Sequence, residues 1–185
     1  MIRHVPNAIT VSRGLCGPVV MGLVVGFEAN WLAFWVFLFA IVTDLVDGFV
    51  ARRLGAVSEA ALVLDPLADK VLTDFTWAGL AIVGFAPPWL AATIVVRDVL
   101  VAAIWAWGMP RGRQWPPRPS GQIGVAFEGV ALCVLLFHGP WLDVHWPSVG
   151  AVLGTVALAL SVVQLLEYSV VTRPGGPGRA AGPDS

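Results

Sequence analysis

Six long apolar stretches dominate the chain, at about residues 10–28, 32–51, 62–84, 88–108, 123–140 and 148–171. Each is close to the roughly 20 residues a helix needs to cross about 30 Å of hydrocarbon. The expected fold class is therefore an all-α integral membrane protein of six transmembrane helices. Composition points the same way. Of the 185 residues, 57% are hydrophobic and 12% charged, where a soluble domain carries about 25% charged residues. With nine Trp and a mean hydropathy of +0.80, the chain has more apolar surface than a soluble core of this size hides. A disordered chain, a nucleic-acid binder built on a basic face and almost any soluble enzyme are excluded. The net charge of −1 singles out no partner. Cys16 and Cys133 each lie inside an apolar run and form no disulfide framework.

The breaks carry the expected signals. Glu28-Ala29-Asn30 separates the first two stretches, Arg52-Arg53-Leu54-Gly55 ends the second, and Pro87-Pro88 opens the fourth. Pro110 to Pro119 reads as a basic, proline-rich loop, and His138 through Pro147 divides the last two spans. Residues 1–172 form one domain, and the Gly/Pro/Ala-rich residues 173–185 read as a disordered cytosolic tail. The first stretch admits a second reading as a secretory signal, with Arg3 and Arg13 as its basic region. Its length, the lack of a small-x-small cleavage site and the spans that follow favour a transmembrane helix. With the N-terminus in the cytosol, Arg3, Arg13, Arg52, Arg53, Lys70, Arg111, Arg113, Arg118, Arg173 and Arg179 all fall at the cytosolic face. The outer loops hold no Lys or Arg. Both termini are then cytosolic.

Charged residues inside a span are costly and mark candidate functional sites. Asp44 and Asp47 sit late in the second span, and Asp65 and Asp69 early in the third. All four therefore lie toward the cytosolic end. A helix turns about 100° per residue, so Asp47, Gly48, Ala51 and Arg52 fall within about 80° of Asp44. Ala61, Asp65 and Asp69 share a face of the third span. The short connection makes these two helices antiparallel neighbours, so four carboxylates would surround one polar pocket. Four anions need a compensating positive charge or protons. Hard oxygen ligands without His or Cys favour Mg²⁺ or Mn²⁺. The plainer alternative is a buried carboxylate–arginine lattice that holds the helices together.

The run Asp44-x2-Asp47-Gly48-x2-Ala51-Arg52, then eight residues, Ala61, three residues, Asp65, three residues, Asp69 resembles the CDP-alcohol phosphotransferase signature D-x2-D-G-x2-A-R-x8-G-x3-D-x3-D. The spacing is intact, and every fixed position matches except Ala61, where the family has Gly. The resemblance implies transfer of a substituted phosphate from a CDP-linked lipid to an alcohol, with release of CMP. It implies that Asp44, Asp47 and Asp65 hold divalent metal, with Asp69 completing the cluster and serving as general base. It places the CDP moiety against Asp44, Gly48, Ala51, Arg52 and Ala61. It also implies a homodimer, a bacterial inner membrane location and an active site on the cytosolic side.

For the acceptor, Pro6-Asn7-Ala8-Ile9-Thr10-Val11-Ser12-Arg13 and Leu64-Asp65-Pro66-Leu67-Ala68-Asp69-Lys70 resemble segments of those members that use CDP-diacylglycerol and glycerol 3-phosphate. Arg97-Asp98 resembles a Gly-Arg-Glu segment of the same members. An anionic acceptor needs cations, and Lys70, Arg97, Arg118 and Arg13 are the candidates. Lys70 is the only Lys beside ten Arg; it either faces the acceptor or snorkels to the interface. Arg97 either binds phosphate or pairs with Asp74 or Asp98. Glu128 and Glu167 are expected to pair with loop arginines such as Arg118, with a substrate role as the alternative. His138 and His145 read as ordinary loop residues, and the many Trp near span ends as an interfacial belt. Phosphatidylglycerol, as in a cardiolipin synthase, is the alternative acceptor, followed by serine or inositol phosphate. A transporter is a remote reading, since the carboxylates lie off the midplane and no repeat is visible.

Overall fold

The computed structural model describes the backbone of residues 5–54, 59–108, 119–137 and 145–171, and the side chains of 12–46, 67–104, 119–137 and 145–167. The described residues are helical apart from short turns. The helices are α1 (Val5–Val25), α2 (Asn30–Leu54), α3 (Glu59–Ile82), α4 (Pro88–Gly108), α5 (Pro119–Phe137) and α6 (Trp146–Val171). Each corresponds to one apolar stretch. Among the described residues, α5 and the Trp146–Glu167 part of α6 are long and apolar enough to cross a membrane. Ser12–Val25 and Asn30–Val46 are shorter apolar stretches. Several helices start before their apolar run. Pro119, expected in a loop, opens α5 instead, because a proline at a helix start forfeits only an amide that has no intrahelical partner. The tail and the Pro110–Arg118 loop lie outside the described residues.

Two turns set helix direction. At the end of α3, Gly84 adopts φ +82°. Its amide donates to Ala81 O at 3.2 Å, and the Phe85 amide to Leu80 O at 2.9 Å. That is a Schellman cap, and glycine has no Cβ to penalise the left-handed conformation. Pro87 and Pro88 then start α4. Between α1 and α2, Glu28 takes the left-handed position (φ 51°) and the Ala29 amide returns to Leu23 O at 2.9 Å.

The helices pack around α3, which lies against α1, α4 and α5; α5 also packs along α6, and α2 lies against α1 and α5. The side chains of residues 47–66, on which the expected meeting of the α2 and α3 faces turns, lie outside the described residues. Among the described residues the two helices meet chiefly through α1 and α5. The reason lies in α1. A Cβ at Gly17 would stand 2.7 Å from Val71 O and 3.1 Å from Leu72 Cα. The bare glycine lets α1 settle onto the α3 backbone and slot in beside α2. The core between helices is built from Trp77, Phe37, Leu72, Leu80, Leu90, Ile94, Leu132 and their neighbours. Outward faces carry Phe39, Leu45, Val99, Val152 and other large apolar residues, while Arg13, Thr76, Asp98, Glu128 and Ser161 are buried. Apolar outside and charged inside is the reverse of a water-soluble bundle.

Gly17→Val should therefore lower the thermal midpoint in detergent, by the equivalent of about 1–3 kcal/mol for overpacking. Gly22→Ala, with nothing within 4 Å of the added methyl, serves as the control and should leave the midpoint unchanged or raised.

Candidate active site

The site begins where three helices meet. Arg13 projects from α1 and is 5% exposed. Its guanidinium forms an ion pair with Asp44 of α2 and donates to Asp69 Oδ1 of α3 at 2.7 Å. A fork-shaped cation suits two carboxylates at once. Both carboxylates are partly exposed, Asp44 at 35% and Asp69 at 43%. The fold thus brings together Asp44 and Asp69, one carboxylate from each motif half, on a cation that sequence reasoning had placed with the acceptor phosphate. Asp47, Gly48, Ala51, Arg52, Ala61 and Asp65 lie in α2 and α3, but their side chains are outside the described residues, as is that of Arg118.

A second cluster starts one residue further along α3. Lys70 Nζ donates to Asp98 Oδ2 at 2.7 Å. Asp98 Oδ1 lies 2.8 Å from Arg97 Nε, close enough for an ion pair but not aligned as a hydrogen bond. Arg97 Nη1 donates to Ser161 Oγ at 2.6 Å, and Nη2 to Glu128 Oε2 at 3.3 Å. Glu128 Oε1 accepts from Trp77 Nε1 at 3.2 Å, and Ser161 Oγ donates to Ala157 O at 2.9 Å. One polar chain thus ties α3, α4, α5 and α6. Buried charges survive only when paired and hydrogen-bonded, and these are.

Some expected pairings change. Of the two partners open to Arg97, the structure selects Asp98 and adds Glu128; Asp74 Oδ1 is buried and accepts no hydrogen bond. Arg97 is therefore engaged on the protein itself. Glu128 is held by Arg97 and Trp77, and Glu167 accepts from Ser120 Oγ at 3.0 Å; the loop arginines expected to pair with them, such as Arg118, lie outside the described residues. His145 sits at the start of α6 and shares a 2.8 Å hydrogen bond between Nδ1 and Ser148 Oγ. Trp77 and Ser161 were missed as site residues. The available signal was position: each is a hydrogen-bonding group deep inside an apolar run, where an interfacial role is excluded.

Chemically, Asp44 and Asp69 are hard oxygen donors, partly exposed and held on one guanidinium. That donor set fits a divalent ion of the Mg²⁺ or Mn²⁺ type. Among the described residues, these two are the carboxylates so placed.

Comparison with known proteins identifies the lineage. The CDP-alcohol phosphatidyltransferase family model matches residues 3–163. The chain is 32% identical over 177 residues to the CDP-diacylglycerol–glycerol-3-phosphate 3-phosphatidyltransferase of Pseudomonas fluorescens, covering 89% of this chain and 88% of that protein. It is 30% identical over 179 residues to the Escherichia coli (strain K12) protein of the same name, covering 92% and 95%. It is also 41% identical over 102 residues to a cardiolipin synthase (CMP-forming)/mitochondrial hydrolase fusion protein of Schizosaccharomyces pombe, covering 55% of this chain and 17% of that protein. A conserved-length match across the helices that carry Arg13, Asp44, Asp69, Lys70, Arg97 and Glu128 leaves one conclusion: the chain belongs to the CDP-alcohol phosphatidyltransferase family and is an enzyme of phosphatidyl transfer.

Proposed function

We propose that the protein transfers the phosphatidyl group of CDP-diacylglycerol to glycerol 3-phosphate and releases CMP, as a step in phospholipid synthesis. The observation that carries the choice of acceptor is the similarity over about nine tenths of both chains to two enzymes named for glycerol 3-phosphate. The partly exposed ammonium of Lys70, the residue after Asp69 on α3, supports it, since an anionic acceptor calls for a nearby cation.

Asp44, Asp47, Asp65 and Asp69 would hold divalent metal. Such a metal would supply positive charge to offset the diphosphate and the departing CMP. The protein's own part is positional. Asp69 accepts the proton of the acceptor hydroxyl as its oxygen attacks the phosphatidyl phosphorus. The bond from that phosphorus to the CMP oxygen breaks, and CMP leaves with the electron pair. Arg13 keeps Asp44 and Asp69 together before substrate arrives. Gly48, Ala51, Arg52 and Ala61 would lie along the CDP moiety. The reading extends to the whole molecule: six spans within residues 1–172, both termini cytosolic, a bacterial inner membrane location, a donor pocket open to the inner leaflet and a homodimer. The apolar exterior and buried charges support the membrane placement.

A second reading is favoured by the match to the cardiolipin synthase (CMP-forming)/mitochondrial hydrolase fusion protein; there phosphatidylglycerol would be the acceptor. One assay separates them. Purified protein is given CDP-diacylglycerol, Mn²⁺ and either glycerol 3-phosphate or phosphatidylglycerol, and CMP and the lipid product are measured. Phosphatidylglycerophosphate is the expected product, and product formed only from phosphatidylglycerol would overturn the first reading. Chelation with EDTA should stop CMP release, and added Mn²⁺ should restore it; activity that persists in EDTA would remove metal from the scheme.

A further inference from the structure

We propose that Asp98 is a positioning residue of this enzyme, which aims the Lys70 ammonium at the anionic group of the acceptor. The proposal rests on the reading of an anionic acceptor given above.

Asp98 lies on α4 and is 2% exposed. Its two oxygens face two cations, Lys70 Nζ at 2.7 Å and Arg97 Nε at 2.8 Å. The cations are not equivalent. Arg97 is 12% exposed, and its remaining nitrogens are committed to Ser161 and Glu128. Lys70 is 27% exposed, so its ammonium is the more accessible of the two charges, and it follows Asp69, the proposed base, along α3. An ammonium has three N–H donors, and the Asp98 bond takes one. Lysine is also long and flexible. Left alone, it would give up much rotamer freedom on meeting a ligand. Anchored on a buried carboxylate, it meets the ligand already oriented. Asp98 is in turn held by Arg97, which Glu128, Trp77 and Ser161 fix from α5, α3 and α6. The same turn of α3 is tied down by Thr73, whose hydroxyl lies 3.1 Å from the Asp69 carbonyl and 3.2 Å from that of Lys70. The polar chain across four helices therefore ends on one half-open ammonium.

Charge alone makes the opposite prediction. If Asp98 only offset the charge of Lys70, removing its charge would strengthen the attraction for an anionic acceptor. If it aims Lys70, removing its charge weakens acceptor binding.

The test uses the full-length enzyme with CDP-diacylglycerol and glycerol 3-phosphate. Asp98→Asn should raise KM for glycerol 3-phosphate by about tenfold or more, the size expected for a charge-assisted hydrogen bond. KM for CDP-diacylglycerol should stay within about twofold. Placed on Lys70→Gln, Asp98→Asn should add no further rise. A fall in acceptor KM, equal changes for donor and acceptor, or full additivity with Lys70→Gln would overturn the proposal. Asp98→Glu keeps the charge and should recover part of the acceptor KM. Should Asp98→Asn not fold, the same cycle is run with Asp98→Glu and Lys70→Gln. An enzyme that uses phosphatidylglycerol instead would defeat the acceptor reading. The same KM ratios, taken with that anionic lipid, would still decide the role of Asp98.

Discussion

Asp69→Asn should reduce kcat by at least about a hundredfold, the lower range for loss of a general base, while KM for CDP-diacylglycerol changes little. The amide is nearly isosteric with the carboxylate and can still accept a hydrogen bond from Arg13, so the helix junction is retained. What it cannot do is take the proton of the attacking hydroxyl. Asp69 is suited to that task because it is anchored by Arg13 at 2.7 Å and is 43% exposed. Steady-state kinetics on the purified variant, with binding of CDP-diacylglycerol measured separately, provide the check. Near-normal turnover would remove Asp69 from the role of base. Lost donor binding together with lost turnover would mark it as a structural or metal residue alone.

The largest effect on stability is expected away from the reacting atoms. Glu128→Gln leaves Arg97 buried with one anionic partner fewer, since Glu128 is 2% exposed and pairs with Arg97 Nη2. Breaking a buried pair from one side costs about 3–5 kcal/mol. The lower end applies here, because Gln still offers an acceptor to Trp77 Nε1. The thermal midpoint in detergent should drop sharply. Glu128→Gln combined with Arg97→Gln should recover part of the loss, because no unbalanced guanidinium then remains. A single variant with an unchanged midpoint, or a double variant worse than the sum of its parts, would show that the pair does not hold α4 to α5. Glu167→Gln gives a contrast: Glu167 is half-buried with a neutral partner, Ser120, and should change stability by less than about 1 kcal/mol.

Much of the protein was legible in its residues. Long apolar helices can be read from length and hydropathy, so each of the six stretches corresponds to a helix, with differences at ends such as Pro119. The motif spacing was equally readable, because residues three and four apart share a helical face whatever surrounds them. The partners were not. Arg13 could be read as a basic residue of α1 and a candidate for the acceptor's anionic group; its place between Asp44 and Asp69 depends on α1 lying beside both α2 and α3. Arg97 had two candidate carboxylates in range and chose Asp98, then added Glu128 from a helix about thirty residues away.

The amino-acid order alone determined an all-helical chain with an apolar exterior, a set of intrahelical charges and their facing within each helix, because these follow from short-range periodicity. Only the tertiary structure decided which cation meets which carboxylate. That choice turns on how closely neighbouring backbones approach, as at Gly17 against Val71, and such contacts join residues more than fifty positions apart in the chain.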